Sequence, residues 1–267
     1  MSKKIDTHTQ LFISAAVRPG NFGATIYNGL FKHYSMNSIY LPKKFTDPSS
    51  ITTVIKLLDI SGCSISMPNK KKIIPHLDVI DELAELSMSV NTVINESGKL
   101  IGKNTDHYGA MKVLETLRPS SVLIYGAGSV VNSIILALQE LGCPEIALHA
   151  RRNEAAKKTT AHHNVEALDR DAISTRSFNL LINATPTSEN IKNDVFSIID
   201  RADNLFDLVV SPHETKLCFL ARKKGMKVAT GLEMSKWQLQ KQFFHYTGVL
   251  PEIKLIDKLV EDAYMQM

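Results

Sequence analysis

Two polar segments of the chain carry residue types that could move a proton. Lys70 follows an apolar run that ends at Pro68, and Asp106 follows a predicted hairpin and precedes a predicted helix. A lysine held by a carboxylate can take and return a hydroxyl proton during reversible oxidation of an alcohol. Both residues would stand at the carboxyl ends of strands, where α/β sites usually lie. The spacing does not show that they meet: Lys70 could begin a solvated helix, and Asp106 could cap one.

A glycine turn predicts a dinucleotide site. The apolar strand 121–125 is followed by Gly126, Ala127, Gly128 and Ser129 and then by an apolar helix. In such a turn the first glycine permits the tight bend, and the second lets the backbone approach a pyrophosphate at the helix N-terminus. The third glycine of the usual fingerprint is absent, so an ordinary strand-to-helix turn is the alternative.

The end of the next strand favours one cofactor. NAD-binding units usually place an acid there, but this chain reads His149-Ala150-Arg151-Arg152-Asn153. Two guanidinium groups suit a 2′-phosphate, which arginine can bind in bidentate fashion. The sequence therefore predicts NADP, with NAD possible. The alternative is that both arginines lie in a solvated loop.

Short apolar runs alternate with amphipathic stretches along the whole chain. This rhythm predicts an α/β protein whose parallel strands are covered on both faces. Residues 75–88 read as one amphipathic helix, and Glu96-Ser97-Gly98 reads as the turn of a hairpin. The segment 233–267 reads as two helices broken at Gly248 and Pro251.

Composition narrows the class of protein. With 267 residues, 44% hydrophobic and 22% charged, the chain has room for two domains. Its net charge of +4 suits anionic small molecules and falls short of a nucleic-acid footprint. Three distant cysteines without a CxxC pair favour a reducing compartment, and no metal site is expected. Without a secretory signal or a membrane-length apolar stretch, we expect a cytoplasmic protein.

A series of motifs refines this interpretation. In chain order they are Gly62 to Lys70 (pattern GxNVTxPxK), Val90-Asn91-Thr92 (AxNT), Asn104 to Gly109 (NTDxxG), Gly126 to Ser129 (GAGG), Ala150 to Arg152 (NRT), Asn183 to Pro186 (NATP), and Gly231, Met234, Gln238 and Tyr246 to Gly248 (GxxML…Q…WTG). In order and spacing they resemble the shikimate dehydrogenase family over nearly the whole length of the chain.

The resemblance implies a role for each matching residue. Lys70 and Asp106 would be the catalytic pair. Substrate would be bound by Asn21, Ser66, Asn91 and Gln238. The cofactor would be bound by Gly126, Ala127, Gly128, Ser129, Arg151, Arg152, Thr185 and Gly231. It also implies two domains: a substrate domain of residues 1–105 completed by 235–267, and an NADP-binding Rossmann domain of residues 106–234.

Several positions depart from the family pattern. Its SxSPxxHN motif holds the substrate carboxylate with two serines, where this chain has Asn21 and Gly23. The aromatic residue of its DxxYxP segment is Val210, the asparagine of its substrate strand is Ser64, and the last glycine of NATPxG is Ser188. We therefore expect weak activity on shikimate and a best substrate that differs from it.

Two other readings remain open. One is a quinate/shikimate dehydrogenase that uses NAD. The other is a relative that binds a nucleotide or a ring acid without turnover, which the lost serines favour and Lys70, Asp106 and Gln238 oppose. The expected partner is a hydroxylated ring carboxylate, with neither nucleic acid nor membrane, and the protein is expected to be a monomer or a homodimer.

Overall fold

The computed structural model describes residues 5–150, 153–185, 194–212 and 214–265. The chain forms two compact units, Met1–Thr105 with Lys236–Met267, and Asp106–Ser235. A six-stranded sheet stands in each unit, with helices between its strands. The predicted α/β class is confirmed.

The first unit has a mixed sheet. Its elements are β1 (Gln10–Ala16), α1 (Phe22–His33), β2 (Ser38–Lys44), α2 (Pro48–Leu57), β3 (Gly62–Ile65), α3 (Asn69–Lys72), β4 (Val79–Ile80), α4 (Glu82–Leu86), β5 (Thr92–Glu96) and β6 (Lys99–Lys103). The strand order is β2-β1-β3-β5-β6-β4. Strands β1, β2 and β3 are parallel, so their carboxyl ends share one edge. Strand β5 runs antiparallel to both of its neighbours, β3 and β6.

The second unit has a parallel sheet with the order β12-β11-β10-β7-β8-β9. Its elements, with the two helices that follow, are α5 (Asp106–Leu117), β7 (Ser121–Tyr125), α6 (Ser129–Glu140), β8 (Glu145–His149), α7 (Asn153–His163), β9 (Glu166–Ala167), α8 (Arg170–Thr175), β10 (Phe178–Asn183), α9 (Asp194–Ile198), β11 (Ala202–Asp207), α10 (Lys216–Lys223), β12 (Lys227–Thr230), α11 (Gly231–Thr247) and α12 (Ile253–Met265). From β7 the chain adds β8 and β9 on one side, and it then returns to add β10, β11 and β12 on the other side of β7. The order of the strands therefore switches between β7 and β10. In doubly wound folds this switch point is where dinucleotides bind.

The prediction for residues 75–88 is wrong. In place of one helix there are a 3₁₀ turn (Ile74–His76), the short strand β4 and the helix α4. Asp78 is held by β6, since its carboxylate accepts the N–H of Leu100 at 2.7 Å. Asp81 then caps α4 by accepting the N–H of Ala84 at 2.8 Å. Pairing with a distant strand has overridden the helical spacing of the apolar residues.

The hairpin prediction is confirmed. Glu96 pairs with Lys99, and the two residues between them, Ser97 and Gly98, have φ of 52° and 89°. A two-residue turn with both φ angles positive matches the twist of the flanking strands. Within the described residues, no helix is long and apolar enough to cross a membrane.

Candidate functional site

The segment that follows β3 lies against the residue that precedes Asn91. The carbonyl of Lys70 accepts the N–H of Val90 at 2.9 Å, and the carbonyl of Asn91 accepts the N–H of Ile65 at 2.8 Å. Ser66 is tied to β1 by its own N–H, which donates to the carbonyl of Ala15 at 3.1 Å. Lys70 and Ser66 are half-buried and Asn91 is buried. Three of the predicted site residues are therefore gathered at the carboxyl end of β3.

The Asn91 side chain fixes the backbone next to Asp106. Its Oδ1 accepts the Thr105 N–H at 3.0 Å and the Thr92 hydroxyl at 2.8 Å, and its Nδ2 donates to Thr105 Oγ1 at 3.0 Å. Thr105 is the last residue of the first unit, and the buried Asp106 begins both the second unit and α5. Asp106 is thus a helix residue and does not stand ahead of the helix as a cap.

The two positions that lack the family's serines lie at the start of α1. Asn21 is the exposed N-cap residue of that helix, and its side chain makes no capping hydrogen bond. A Cβ added to Gly23 would stand 4.0 Å from Cε2 of Tyr27, with no closer neighbour. A small side chain would therefore fit at position 23.

A group of buried and half-buried hydroxyls surrounds Ser64, another departure from the family pattern. We call Tyr27, Tyr40, Ser64, Gln242 and Tyr246 the tyrosine network. Ser64 Oγ donates to Gln242 Oε1 at 2.7 Å, and it lies 2.6 Å from the hydroxyl of Tyr40 and 3.1 Å from that of Tyr246. The Tyr27 hydroxyl donates to Gln242 Oε1 at 2.5 Å. Ser64 is thus committed to partners within the protein.

Burial keeps these phenols protonated. Loss of hydration raises the pKa of Tyr27, Tyr40 and Tyr246 above that of free tyrosine, and for Tyr27 and Tyr246 the neighbouring Tyr40 raises it further. Each hydroxyl can therefore act as a hydrogen-bond donor at any physiological pH.

Helix α11 carries both the predicted Gln238 and the unpredicted Gln242. Gln238 is half-buried, and Gln242 lies one turn later. Between them, the buried Gln240 donates its Nε2 to the carbonyl of Pro251 at 2.8 Å. In the sequence, the one signal for Gln242 is its spacing: it lies four residues after Gln238, on the same side of a predicted helix.

The glycine turn fits a bound pyrophosphate. Gly126 has φ of 124°, and a Cβ there would stand 2.8 Å from the carbonyl oxygen of Ala184. Gly128 is the N-cap residue of α6 and has open space where a Cβ would be. The Oγ of Ser129 is buried and has no hydrogen-bond partner among the described residues. The open approach at Gly128 and the unsatisfied hydroxyl of Ser129 suit an anion at this helix start, since helix N-termini favour anions.

Two other predicted cofactor residues lie at strand ends of the same sheet. Thr185 Oγ1 donates to Asn183 Oδ1 at 2.6 Å, and Asn183 Nδ2 donates to the buried Asp207 at 2.9 Å. Gly231 follows β12, and a Cβ there would stand 2.2 Å from the carbonyl oxygen of Leu208. Close backbone approach therefore requires glycine at 231. The remaining predictions in this region, Arg151, Arg152 and Ser188, lie outside the described residues.

Known proteins resemble the chain along most of its length. Residues 22–93 match a family model described as the shikimate dehydrogenase substrate binding domain. A shikimate dehydrogenase-like protein of Haemophilus influenzae is 28% identical over 94% of this chain and 96% of its own length. The shikimate dehydrogenase (NADP(+)) of Maridesulfovibrio salexigens is 32% identical over 88% of this chain and 90% of its own.

A solved structure agrees with these sequence matches. The structure of a shikimate 5-dehydrogenase-like protein superposes with a TM-score of 0.88 at 27% identity, covering 98% of this chain and 100% of that one. The fold, the order of the motifs and a relative at 32% identity all lead to one conclusion. The chain belongs to the shikimate dehydrogenase family.

Proposed function

We propose that the protein is an NADP-dependent oxidoreductase that transfers hydride reversibly between the nicotinamide and a ring hydroxyl or ketone of a hydroxylated ring carboxylate. The observation that carries the proposal is the placement of Asn91, which is tied both to the segment of Lys70 and to the residue before Asp106. The Maridesulfovibrio relative is named for NADP(+), which supports the choice of cofactor. Met1–Thr105 with Lys236–Met267 would bind the substrate, and Asp106–Ser235 would bind NADP.

In this proposal one pair of side chains would transfer the proton, and three others would orient the substrate. Lys70 Nζ would take the proton of the reacting hydroxyl during oxidation and return it during reduction, with the Asp106 carboxylate holding the ammonium group. Ser66, Asn91 and Gln238 would orient the other hydroxyls of the ring. When bound, the nicotinamide accepts or donates the hydride.

The glycine turn and the strand ends of the second unit would hold the nucleotide. Gly126, Ala127, Gly128 and Ser129 would bind the pyrophosphate at the start of α6. Thr185 and Gly231 would lie along the rest of the cofactor. The 2′-phosphate would be bound by Arg151 and Arg152, because guanidinium groups pair with phosphate in bidentate fashion.

The best substrate should differ from shikimate. In place of the serine pair that holds a carboxylate, this chain has Asn21, which offers one amide, and Gly23, which offers no side chain. Each hydrogen bond lost to a charged group costs about 1.5–3 kcal/mol, so the loss of two could reduce efficiency by orders of magnitude. Ser64 cannot compensate, since its hydroxyl is committed to the tyrosine network.

We also place the reaction in the cytoplasm. Cys63, Cys143 and Cys218 are all free thiols. A chain without disulfides fits a reducing compartment.

A substrate panel tests the proposal. Purified protein would be incubated with NADP⁺ or NAD⁺ and shikimate, quinate, or related ring polyols with and without a carboxylate, and reduced nicotinamide would be followed. Lys70→Ala should abolish turnover. The exposed neighbour on the same short helix gives the matched control, Lys71→Ala, which should retain it.

The outcomes separate the rival readings. NADP⁺-dependent turnover lost only in Lys70→Ala supports the proposal, and faster turnover with NAD⁺ would correct the cofactor. Shikimate turnover as efficient as that of any other substrate would overturn the altered specificity. Nucleotide binding without turnover on any member of the panel would favour a binding protein.

A further inference from the structure

The side-chain amide of Gln242 is buried and uses its full hydrogen-bonding capacity. Its Oε1 accepts from the hydroxyls of Tyr27 and Ser64, and its Nε2 donates to the carbonyl of Asn91 at 3.1 Å and to Thr92 Oγ1 at 2.6 Å. An amide oxygen has two acceptor sites and an amide nitrogen has two hydrogens, so all four are engaged. Gln242 therefore has no group left to bind a substrate, and its function must lie in positioning the groups to which it is hydrogen-bonded.

The direction of these bonds is determined by their partners. A backbone carbonyl can only accept, so the group that faces the Asn91 carbonyl must be Nε2. Thr92 Oγ1 receives the second Nε2 hydrogen and gives its own hydrogen to Asn91 Oδ1 at 2.8 Å. The Thr105 N–H reaches the same oxygen at 3.0 Å. Hence Oδ1 of Asn91 faces the Thr92 hydroxyl and the Thr105 N–H, and its Nδ2 faces Thr105 Oγ1.

The tyrosine network completes the chain of donors. The single hydrogen of Ser64 goes to Gln242 Oε1, so Tyr40 and Tyr246 must donate to Ser64 Oγ. Hydrogen bonds thus run in one direction, from the phenols of Tyr27, Tyr40 and Tyr246 through Gln242 to Asn91. Rings pack around this path, with Tyr27 and Tyr40 stacked at a centroid distance of 4.5 Å.

From this geometry we infer that Gln242 is a positioning residue, which fixes the orientation of the Asn91 amide and of the Thr105 backbone and so sets where a substrate hydroxyl binds. The inference rests on the proposed function, in which Asn91 contacts the substrate and Asp106 follows Thr105. It also explains why serine occupies position 64. An asparagine there would place a larger amide among Tyr40, Tyr246 and Gln242, which the small hydroxyl of Ser64 connects.

A pair of matched variants tests the inference. Gln242→Met keeps the approximate volume and removes all four hydrogen bonds. Gln240→Met removes a buried glutamine of the same helix that bonds the Pro251 carbonyl. We expect Gln242→Met to lower kcat/KM about tenfold or more, with the KM for the nucleotide unchanged. Gln240→Met should stay within about twofold of wild type in the same assay, whatever its loss of thermal stability.

A second variant tests the direction of the bonds. Gln242→Glu keeps the acceptors for Tyr27 and Ser64, but an ionised carboxylate has no hydrogen to give. Thr92 would then donate to the carboxylate in place of Asn91. Once protonated, the carboxyl regains one donor and can restore the path. The ratio of kcat/KM for Gln242→Glu to that of wild type should therefore rise as pH falls, while the ratio for Gln242→Met should not change with pH.

Hydrogen exchange gives a measure that needs no turnover. The Thr105 amide is protected by Asn91 Oδ1, so it should exchange faster in Gln242→Met than in Gln240→Met when both are compared with wild type. Equal Thr105 exchange in both variants, or equal kcat/KM, would overturn the positioning role. Full activity of Lys70→Ala would instead overturn the proposed function, and the exchange result would still decide the role of Gln242.

Discussion

The ring of Tyr27 lies beneath Gly23, with its Cε2 4.0 Å from the point where a Cβ on Gly23 would stand. This is an ordinary van der Waals distance, and the backbone at 23 needs no left-handed conformation. Neither sterics nor backbone geometry therefore demands glycine at position 23.

Restoring the serines should restore carboxylate binding. We expect Asn21→Ser/Gly23→Ser to raise kcat/KM for shikimate by about 100-fold or more, mainly through KM, because two hydrogen bonds to a charged group, each worth about 1.5–3 kcal/mol, are regained. Steady-state kinetics with shikimate and with a ring polyol that lacks the carboxylate would measure this. Only the carboxylate-bearing substrate should improve.

The control for that experiment lies in the same loop. Gly20→Ser adds a hydroxyl to an exposed glycine that has open space around it. It should leave both substrates unchanged. An unchanged KM for shikimate in the double variant would show that the carboxylate is bound elsewhere.

Gly62 is required by the tyrosine network. A Cβ at this position would stand 2.5 Å from the ring of Tyr246, so Gly62→Ala should lower the free energy of unfolding by about 1–3 kcal/mol. Urea denaturation would measure the loss. Adding Tyr246→Ala should remove most of the added penalty of the alanine and leave only the contact with Phe12 Cδ1 at 3.0 Å, and an undiminished penalty in this background would contradict the steric account.

Alanine substitutions at the two glycines of the nucleotide turn should have different effects. Gly126→Ala should reduce stability, because φ is 124° and a Cβ would stand 2.8 Å from the Ala184 carbonyl oxygen. Gly128→Ala should fold normally, since nothing lies within 4 Å, yet weaken NADPH binding by occupying the approach of the pyrophosphate. Thermal unfolding and NADPH fluorescence titration would separate the effects. Normal NADPH affinity in Gly128→Ala would contradict this placement.

His245 should contribute to acid sensitivity. Its pKa is lowered to about 4, chiefly by burial and additionally by the positive charges of Lys103 and Lys241. An unfolded histidine titrates near pH 6.5, so the unfolded chain binds this proton first as pH falls. The contribution of His245 is therefore complete above about pH 6.5 and decreases as pH falls towards about 4.

Replacement of this histidine should flatten the stability profile. Between pH 7 and pH 4.5, His245→Asn should lose less free energy of unfolding than wild type does. The exposed His76 provides the control, and His76→Asn should follow the wild-type curve. Parallel curves for all three proteins would show that His245 does not titrate in this way.

Local patterns predicted most of the fold. The hairpin at Ser97-Gly98 and the turn at Gly126 depend on a few neighbouring residues, and both are present in the structure. The helix predicted over residues 75–88 failed because Asp78 and Val79 pair with β6, a contact that no local periodicity reports. Spacing also could not show that Gly231 must admit the Leu208 carbonyl.

The tyrosine network was beyond prediction from sequence for a similar reason. Tyr27 and Gln242 are separated by 215 positions, yet they share a buried hydrogen bond. A tyrosine in α1 and a glutamine in α11 each read as ordinary helix residues. Only the folded first unit shows that both serve the same asparagine.

The shared hydrogen bonds of Tyr27, Ser64, Gln242 and Tyr246 make the order of substitutions matter. Each residue satisfies a buried partner, so a single replacement leaves a donor or an acceptor stranded, while a set replaced together leaves none. Converting this arrangement into one with asparagine at position 64, one substitution at a time, would then pass through variants that have unsatisfied buried groups. An engineer who wished to transplant this arrangement would need to move three separate stretches of sequence at once, around Tyr27, around Ser64 and from Gln242 to Tyr246.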